Sequence, residues 1–206
     1  MRIRMPKGSQ YTPLLIGVCN KDSVLLCADS RTTFYDGEKF EEEDTCKKLF
    51  QLNDNLLFGA CGVFGENEML IEPFINKSTK MLTFERGIER ISDYLLGEIA
   101  IGHELADRSY ILAGKNRYGK YSIAHVSYNA ADNQIETARK AGGKNGNYIL
   151  MLPPNGLEKE DYWKERLEDV LAEKGILSDR LIEYAEELKG VSNLVGGDIK
   201  CIKVVG

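Results

Sequence analysis

The sequence predicts an α+β protein in which two β-sheets are sandwiched by helices in a single domain. Three observations predict it. Short apolar runs bounded by polar turns open the chain, return in its middle and close it. Two stretches between them carry apolar residues at spacings of three and four. Their order is strands, two helices, strands, two helices, strand, with no internal repeat, low-complexity segment or linker.

The elements follow in chain order. Leu14 to Val18 and Val24 to Ala28 flank Asn20-Lys21-Asp22 and predict a hairpin buried on both faces. Residues 36–44 (DGEKFEEED) read as a charged, glycine-containing loop with a solvated acidic face. Leu49 to Leu52 and Leu56 to Ala60 flank Asn53-Asp54-Asn55, a second hairpin. Gly62 and Gly65 mark a change of period, and Met69, Leu70, Pro73 and Phe74 predict a short helix broken near the proline. Thr83 is placed to cap a longer helix carrying Phe84, Ile88, Ile91, Leu95 and Ile99. Strands are predicted over Ser109 to Ala113, Tyr121 to Val126 and Gln134 to Thr137. The acidic stretch 158–174 puts Trp163, Leu167, Val170 and Leu171 on one face, as an exposed amphipathic helix does. A further helix from near Ser178 groups Leu181, Tyr184, Ala185 and Leu188, and Ile199 to Val205 is the closing strand.

Composition excludes several classes. Of 206 residues, 43% are hydrophobic and 29% charged, the balance of an ordinary globular chain, and the net charge of -5 comes with no basic stripe for nucleic acid. No apolar run reaches membrane-spanning length, and Met1 to Gly8 lacks the apolar stretch of a signal peptide, so a cytoplasmic location is expected. The five cysteines (Cys19, Cys27, Cys46, Cys61 and Cys201) contain no C-x-x-C, which argues against a zinc site or a disulfide framework. Cys27 and Cys201 lie in apolar runs and read as small core residues. Neither a G-x-G-x-x-G nor a phosphate-loop pattern is present, and no cofactor or metal is expected. His103 and His125 lie in unrelated segments, and His125 reads as a core histidine with its hydrogen bonds satisfied.

Three stretches carry a resemblance. Gly17-Val18-Cys19-Asn20-Lys21-Asp22-Ser23-Val24, running into Ala28-Asp29-Ser30-Arg31, is similar to the first hairpin and A-D-S-R signature of 20S proteasome β-type subunits. Lys47-Lys48-Leu49-Phe50, followed by Leu57-Phe58-Gly59-Ala60-Cys61-Gly62, is similar to that family's next strand and its glycine-containing return. Val195-Gly196-Gly197-Asp198-Ile199 is similar to its closing S-G-G-x-I strand. Together they cover roughly residues 12–206, in the family's order. The resemblance implies a four-layer αββα sandwich of the N-terminal-nucleophile hydrolase superfamily, spanning residues 1–206 with 1–11 as a leader or N-terminal extension. It also implies subunits that stack into rings.

Such hydrolases use an N-terminal threonine hydroxyl as nucleophile and its own α-amine as base, with a lysine and an aspartate nearby. The resemblance puts Asp29 and Lys48 at the aspartate and lysine positions. Read from residue types alone, they are a partly buried ion pair that fixes the first hairpin. Counted without gaps from Asp29, the nucleophile position falls on Pro13, which has no hydroxyl. Thr12 is one residue off and could serve through a bulge, after removal of Met1 to Tyr11. The family cuts after glycine, whereas Tyr11 precedes Thr12. Supporting polar positions are also altered. Ala141-Gly142-Gly143 stands in place of G-S-G, and Ser192 and Val195 replace the aspartate and serine of D-x-x-S-G-G.

The expectation is therefore a subunit-like member of the threonine-protease family with degenerate catalytic machinery and an assembly or binding role. Its expected partners are copies of itself, a homo-oligomer with a ring among its forms, and a peptide or protein substrate or partner, with no nucleic acid and no membrane. One alternative is an active hydrolase using Thr12 after processing. The other is an unrelated binding domain that shares only the hairpin pattern.

Overall fold

The structure is a computed structural model and describes residues 7–65, 70–143, 146–154, 156–173 and 176–205. Among these residues two antiparallel sheets stack face to face, with helices on both outer sides. The smaller sheet joins β2 (Leu15–Cys19), β3 (Ser23–Ala28), β11 (Tyr148–Leu152) and β12 (Lys200–Val205) in the order β11-β2-β3-β12. The first predicted hairpin is its centre. Asn20 builds the turn, because its side-chain Oδ1 accepts the N–H groups of Asp22 and Ser23 at 2.9 Å each.

The larger sheet runs β10 (Gln134–Ala141), β9 (Tyr121–Asn129), β8 (Arg108–Lys115), β7 (Leu56–Gly65), β1 (Ser9–Thr12), β4 (Thr32–Tyr35) and β5 (Phe40–Glu43), with β6 (Leu49–Asn53) also paired to β7. β8 takes one edge of β7. β6 and β1 share the other, with Leu49 opposite Gly59 and Thr12 opposite Gly62.

The layers have separate apolar interiors. Leu15, Leu26, Leu57, Ile111 and Ile123 fill the space between the sheets. Helix α1 (Phe84–Ala100) covers the larger sheet through Phe84, Ile88, Ile91 and Leu95. Thr83 caps it by accepting the Arg86 N–H at 3.3 Å. Helices α2 (Glu160–Ala172) and α3 (Leu177–Lys189) cover the smaller sheet through Leu167, Val170, Leu171, Leu181, Tyr184, Ala185 and Leu188. The expected αββα order of layers is what these clusters define.

Several local expectations change. Residues 36–44 are not wholly a loop, since Phe40–Glu43 form edge strand β5, held by pairing to β4 and by Phe40 stacking on Tyr35 at 4.8 Å. Its three consecutive glutamates hide the alternation that marks a strand, and charge suits an exposed edge. The short helix around Pro73 is one 3₁₀ turn, Glu72–Phe74, and Met69 lies outside the described residues. The expected end of α2 near Lys174-Gly175 also lies outside them. Strands β1, β4 and β11 had no counterpart in the sequence reading.

Candidate active site

One end of the sandwich gathers the site. Asp29 follows β3, Lys48 precedes β6, and Gly196-Gly197 lies just before β12. Lys48 Nζ donates to Asp29 Oδ1 at 2.5 Å, and both side chains are wholly inaccessible to solvent. Asp29 Oδ2 accepts the N–H of Gly196 at 3.0 Å and that of Arg31 at 3.2 Å. Burial pushes the Asp29 carboxyl up, against the opposing pull of Lys48. Burial likewise holds the Lys48 ammonium down, against Asp29. On both partners removal from water opposes the mutual attraction, as in other buried ion pairs.

The loops around the pair are tied to each other. Ser30 Oγ donates to the Asp44 carbonyl at 2.5 Å and accepts the Asp198 N–H at 2.9 Å. Arg31 forks onto Asp44, Nε to Oδ1 at 2.7 Å and Nη2 to Oδ2 at 3.0 Å, while its Nη1 reaches the Asn193 carbonyl at 2.7 Å. This bidentate bond is the main reason the Asp44 carboxyl sits below the usual range. Gly197 has φ +66°, and a Cβ there would stand 2.2 Å from Ser30 Oγ, so glycine is required by conformation and by space. Asp44 belongs to the acidic run that the sequence predicts to be solvated. Its role was invisible without knowing that Arg31 meets it.

Thr12 ends β1, fully buried, and its hydroxyl donates to the Gly62 carbonyl at 3.5 Å. Lys48 lies nearby on the same edge of β7, where its carbonyl accepts the Ala60 N–H at 3.3 Å. The two residues are thus a two-residue step apart along β7, about 7 Å at the usual strand rise. Lys48 Nζ bonds to Asp29 and not to Thr12. Pro13 and Leu14 carry the chain from β1 in one sheet to β2 in the other. On β7, Cys61 stands between Ala60 and Gly62, and burial pushes its thiol up to about 12.

The supporting positions are also in view. Gly142 lies against the Asn20 backbone, and Val195 packs into the apolar layer beneath α3. His125 accepts or donates one hydrogen bond with Ser109 Oγ at 3.1 Å, far in the chain from the pair. Among the described residues no group of His, Cys, Asp and Glu is placed to hold a metal ion, and no helix is long and apolar enough to cross a membrane.

Comparison with known proteins agrees with this architecture. The model of the proteasome subunit family matches residues 14–169, three quarters of the chain, so the chain belongs to the proteasome subunit family. The reading as an unrelated binding domain is thereby set aside. No curated protein matches the chain. Among solved structures, HslV from Trypanosoma brucei superposes with a TM-score of 0.56 at 12% identity, covering 94% of this chain and 99% of that one. Anbu from Yersinia bercovieri gives 0.59 at 12%, covering 93% and 81%. The Anbu complex of Pseudomonas aeruginosa, solved as a helical assembly, gives 0.55 at 15%, again covering 93% and 81%. At such identities these likenesses speak for the fold.

Proposed function

We propose that this chain is a catalytically silent proteasome-family subunit that works by self-association and binding. One observation carries the reading: Ser9–Thr12 is an inner strand of the larger sheet. Its residues pair with β7 on one side, Ser9 to Gly65 through Thr12 to Gly62, and with β4 on the other, Ser9 to Tyr35 through Tyr11 to Thr33. All four are buried. Freeing an α-amine at Thr12 means removing Ser9, Gln10 and Tyr11 from the middle of that sheet. While they remain, the Thr12 nitrogen is an amide and cannot act as a base.

The rest of the chemistry supports the same reading. Lys48 is committed to Asp29, Pro13 supplies no hydroxyl, and the polar groups expected near the amine are Gly142 and Val195. Asp29 and Lys48 then serve to hold β3, β6 and the 196–197 turn together. For self-association, Met81, Leu96 and Ile101 are large apolar side chains exposed on and beside α1, and one structural neighbour was solved as a helical assembly. The proposal takes residues 1–206 as one unit in the cytoplasm.

The test is peptide and casein turnover by the wild type and by Thr12→Ala, each with its N-terminal mass determined. Equal, near-background rates with Ser9–Tyr11 retained are expected. Robust turnover lost in Thr12→Ala, from a chain beginning at Thr12, would establish the processed hydrolase instead. Light scattering on the same sample should exceed the 23.1 kDa of one chain.

A further inference from the structure

The register between β3 and β12 sets Cys27 directly opposite Cys201. Directly opposed residues of an antiparallel pair point to the same face, with Cα atoms about 4.5–5.5 Å apart. A disulfide needs about 4.4–6.8 Å. No other cysteine pair stands opposed in the strand registers described. The face is the one covered by α3: Cys27 belongs to the apolar cluster beneath that helix, Cys201 packs against it, and Cys201 Sγ approaches the Ser178 carbonyl at 3.8 Å. Both thiols are free in this structure. The neighbouring Cys201 thiol, ahead of burial, pushes the Cys27 thiol up.

The two differ in access. Cys27 is fully buried in a central strand, whereas Cys201 is partly exposed on β12, the outermost strand of its sheet. That asymmetry gives an entry side and a resolving side.

We propose that Cys27 and Cys201 are a redox pair that closes to a cross-strand disulfide when a hydroperoxide oxidises Cys201. The Cys201 sulfur attacks the peroxide oxygen, the O–O bond breaks, and one oxygen leaves as water while the other stays on sulfur as a sulfenic acid. The Cys27 sulfur then attacks the Cys201 sulfur. The S–S bond forms, the S–O bond breaks, and the hydroxyl leaves as water with the Cys27 proton. Two thiols lose two electrons and two protons, and hydrogen peroxide is reduced to two waters.

The bond would staple the two strands that carry the halves of the Asp29–Gly196 contact. Cys27 lies two residues before Asp29, and Cys201 follows Gly196 by five. The inference stands on the β3–β12 register and does not depend on whether the subunit is catalytically silent.

The experiment oxidises the folded, fully reduced chain with hydrogen peroxide, then alkylates in denaturant and maps peptides by mass. The free thiols should fall from five to three, with a bridged peptide joining Cys27 to Cys201 and restoration by dithiothreitol. The oxidised protein should melt at a higher temperature. Cys201→Ser, at the sheet edge, should fold and give no bridge. Three results would overturn the proposal: Cys27 still alkylated while Cys201 advances to sulfinic acid, bridging confined to Cys19, Cys46 or Cys61, or a Cys27–Cys201 bridge that appears only after denaturation.

Discussion

Gly196 donates its backbone N–H to Asp29 Oδ2 at 3.0 Å, joining residues 167 apart in sequence. The other carboxylate oxygen takes Lys48, so the Asp29 side chain links the end of β3 to the start of β6 and to the turn before β12.

Removing one partner of that pair should be costly. Lys48→Met leaves a buried carboxylate with only backbone donors, and the expected loss is about 3–5 kcal/mol in urea unfolding near neutral pH. The pH dependence has a definite sign. Burial already raises Asp29 above its ordinary 3.8, and without Lys48 two opposing influences vanish, so the folded value rises further. A raised carboxyl contributes its stability below the unfolded value and loses it as pH rises through the folded one. The penalty of Lys48→Met should therefore shrink as pH is lowered towards 4. A penalty independent of pH would mean that Asp29 is already neutral in the wild type.

Tyr11 separates a strand from a leader. It is 3% exposed and packs on Val63, with Tyr35, Ala106 and Leu194 around them. Truncation of a buried aromatic costs about 3–5 kcal/mol. Tyr11→Ala should lose an amount of that order in chemical denaturation, whereas a disposable leader would tolerate it without change.

Legibility in the sequence followed the range of the interactions. The β2–β3 hairpin and the start of α1 were readable because Asn20 and Thr83 act within three residues of themselves. Strand β1 was not. Ser-Gln-Tyr-Thr before a proline has no apolar alternation, and its burial comes from β4 and β7, whose paired residues lie 22 to 56 positions further on. The Asp29–Lys48 pair was readable through motif resemblance and not through residue type. Its backbone donors, the Arg31–Asp44 fork and the opposition of Cys27 to Cys201 all depend on how distant segments are brought together, which short-range patterns do not encode.

His125 should make the fold sensitive to acid. It is paired across β9 and β10 with Ala138, and burial holds its imidazole below the ordinary 6.5, with Glu136 pulling the other way. A lowered histidine contributes stability above its unfolded value and loses it as pH falls through the folded one. Unfolding free energy should drop as the pH falls below the ordinary 6.5, and His125→Gln should flatten that slope. Parallel slopes in the two proteins would assign the acid sensitivity elsewhere.

Restoring the family's serine at Gly142 should damage the fold instead of rebuilding a site. A Cβ at Gly142 would lie 2.2 Å from the Asn20 carbonyl oxygen and 2.4 Å from its carbonyl carbon, contacts that real Cβ atoms do not make. Neither side can yield easily. Gly142 N–H is bonded to the Tyr121 carbonyl at 2.8 Å, and Asn20 is pinned by its N–H to the Ser23 carbonyl at 3.0 Å and by Nδ2 to Asn147 Oδ1 at 3.2 Å. Displacing Asn20 loosens the turn that sets the β2–β3 register, and through β3 the position of Asp29. Overpacking of this kind costs about 1–3 kcal/mol. Gly142→Ser should therefore show a lower urea midpoint with an unchanged m-value, and no gain in peptide turnover. A variant as stable as its parent would show that the 141–143 segment can move away from the hairpin.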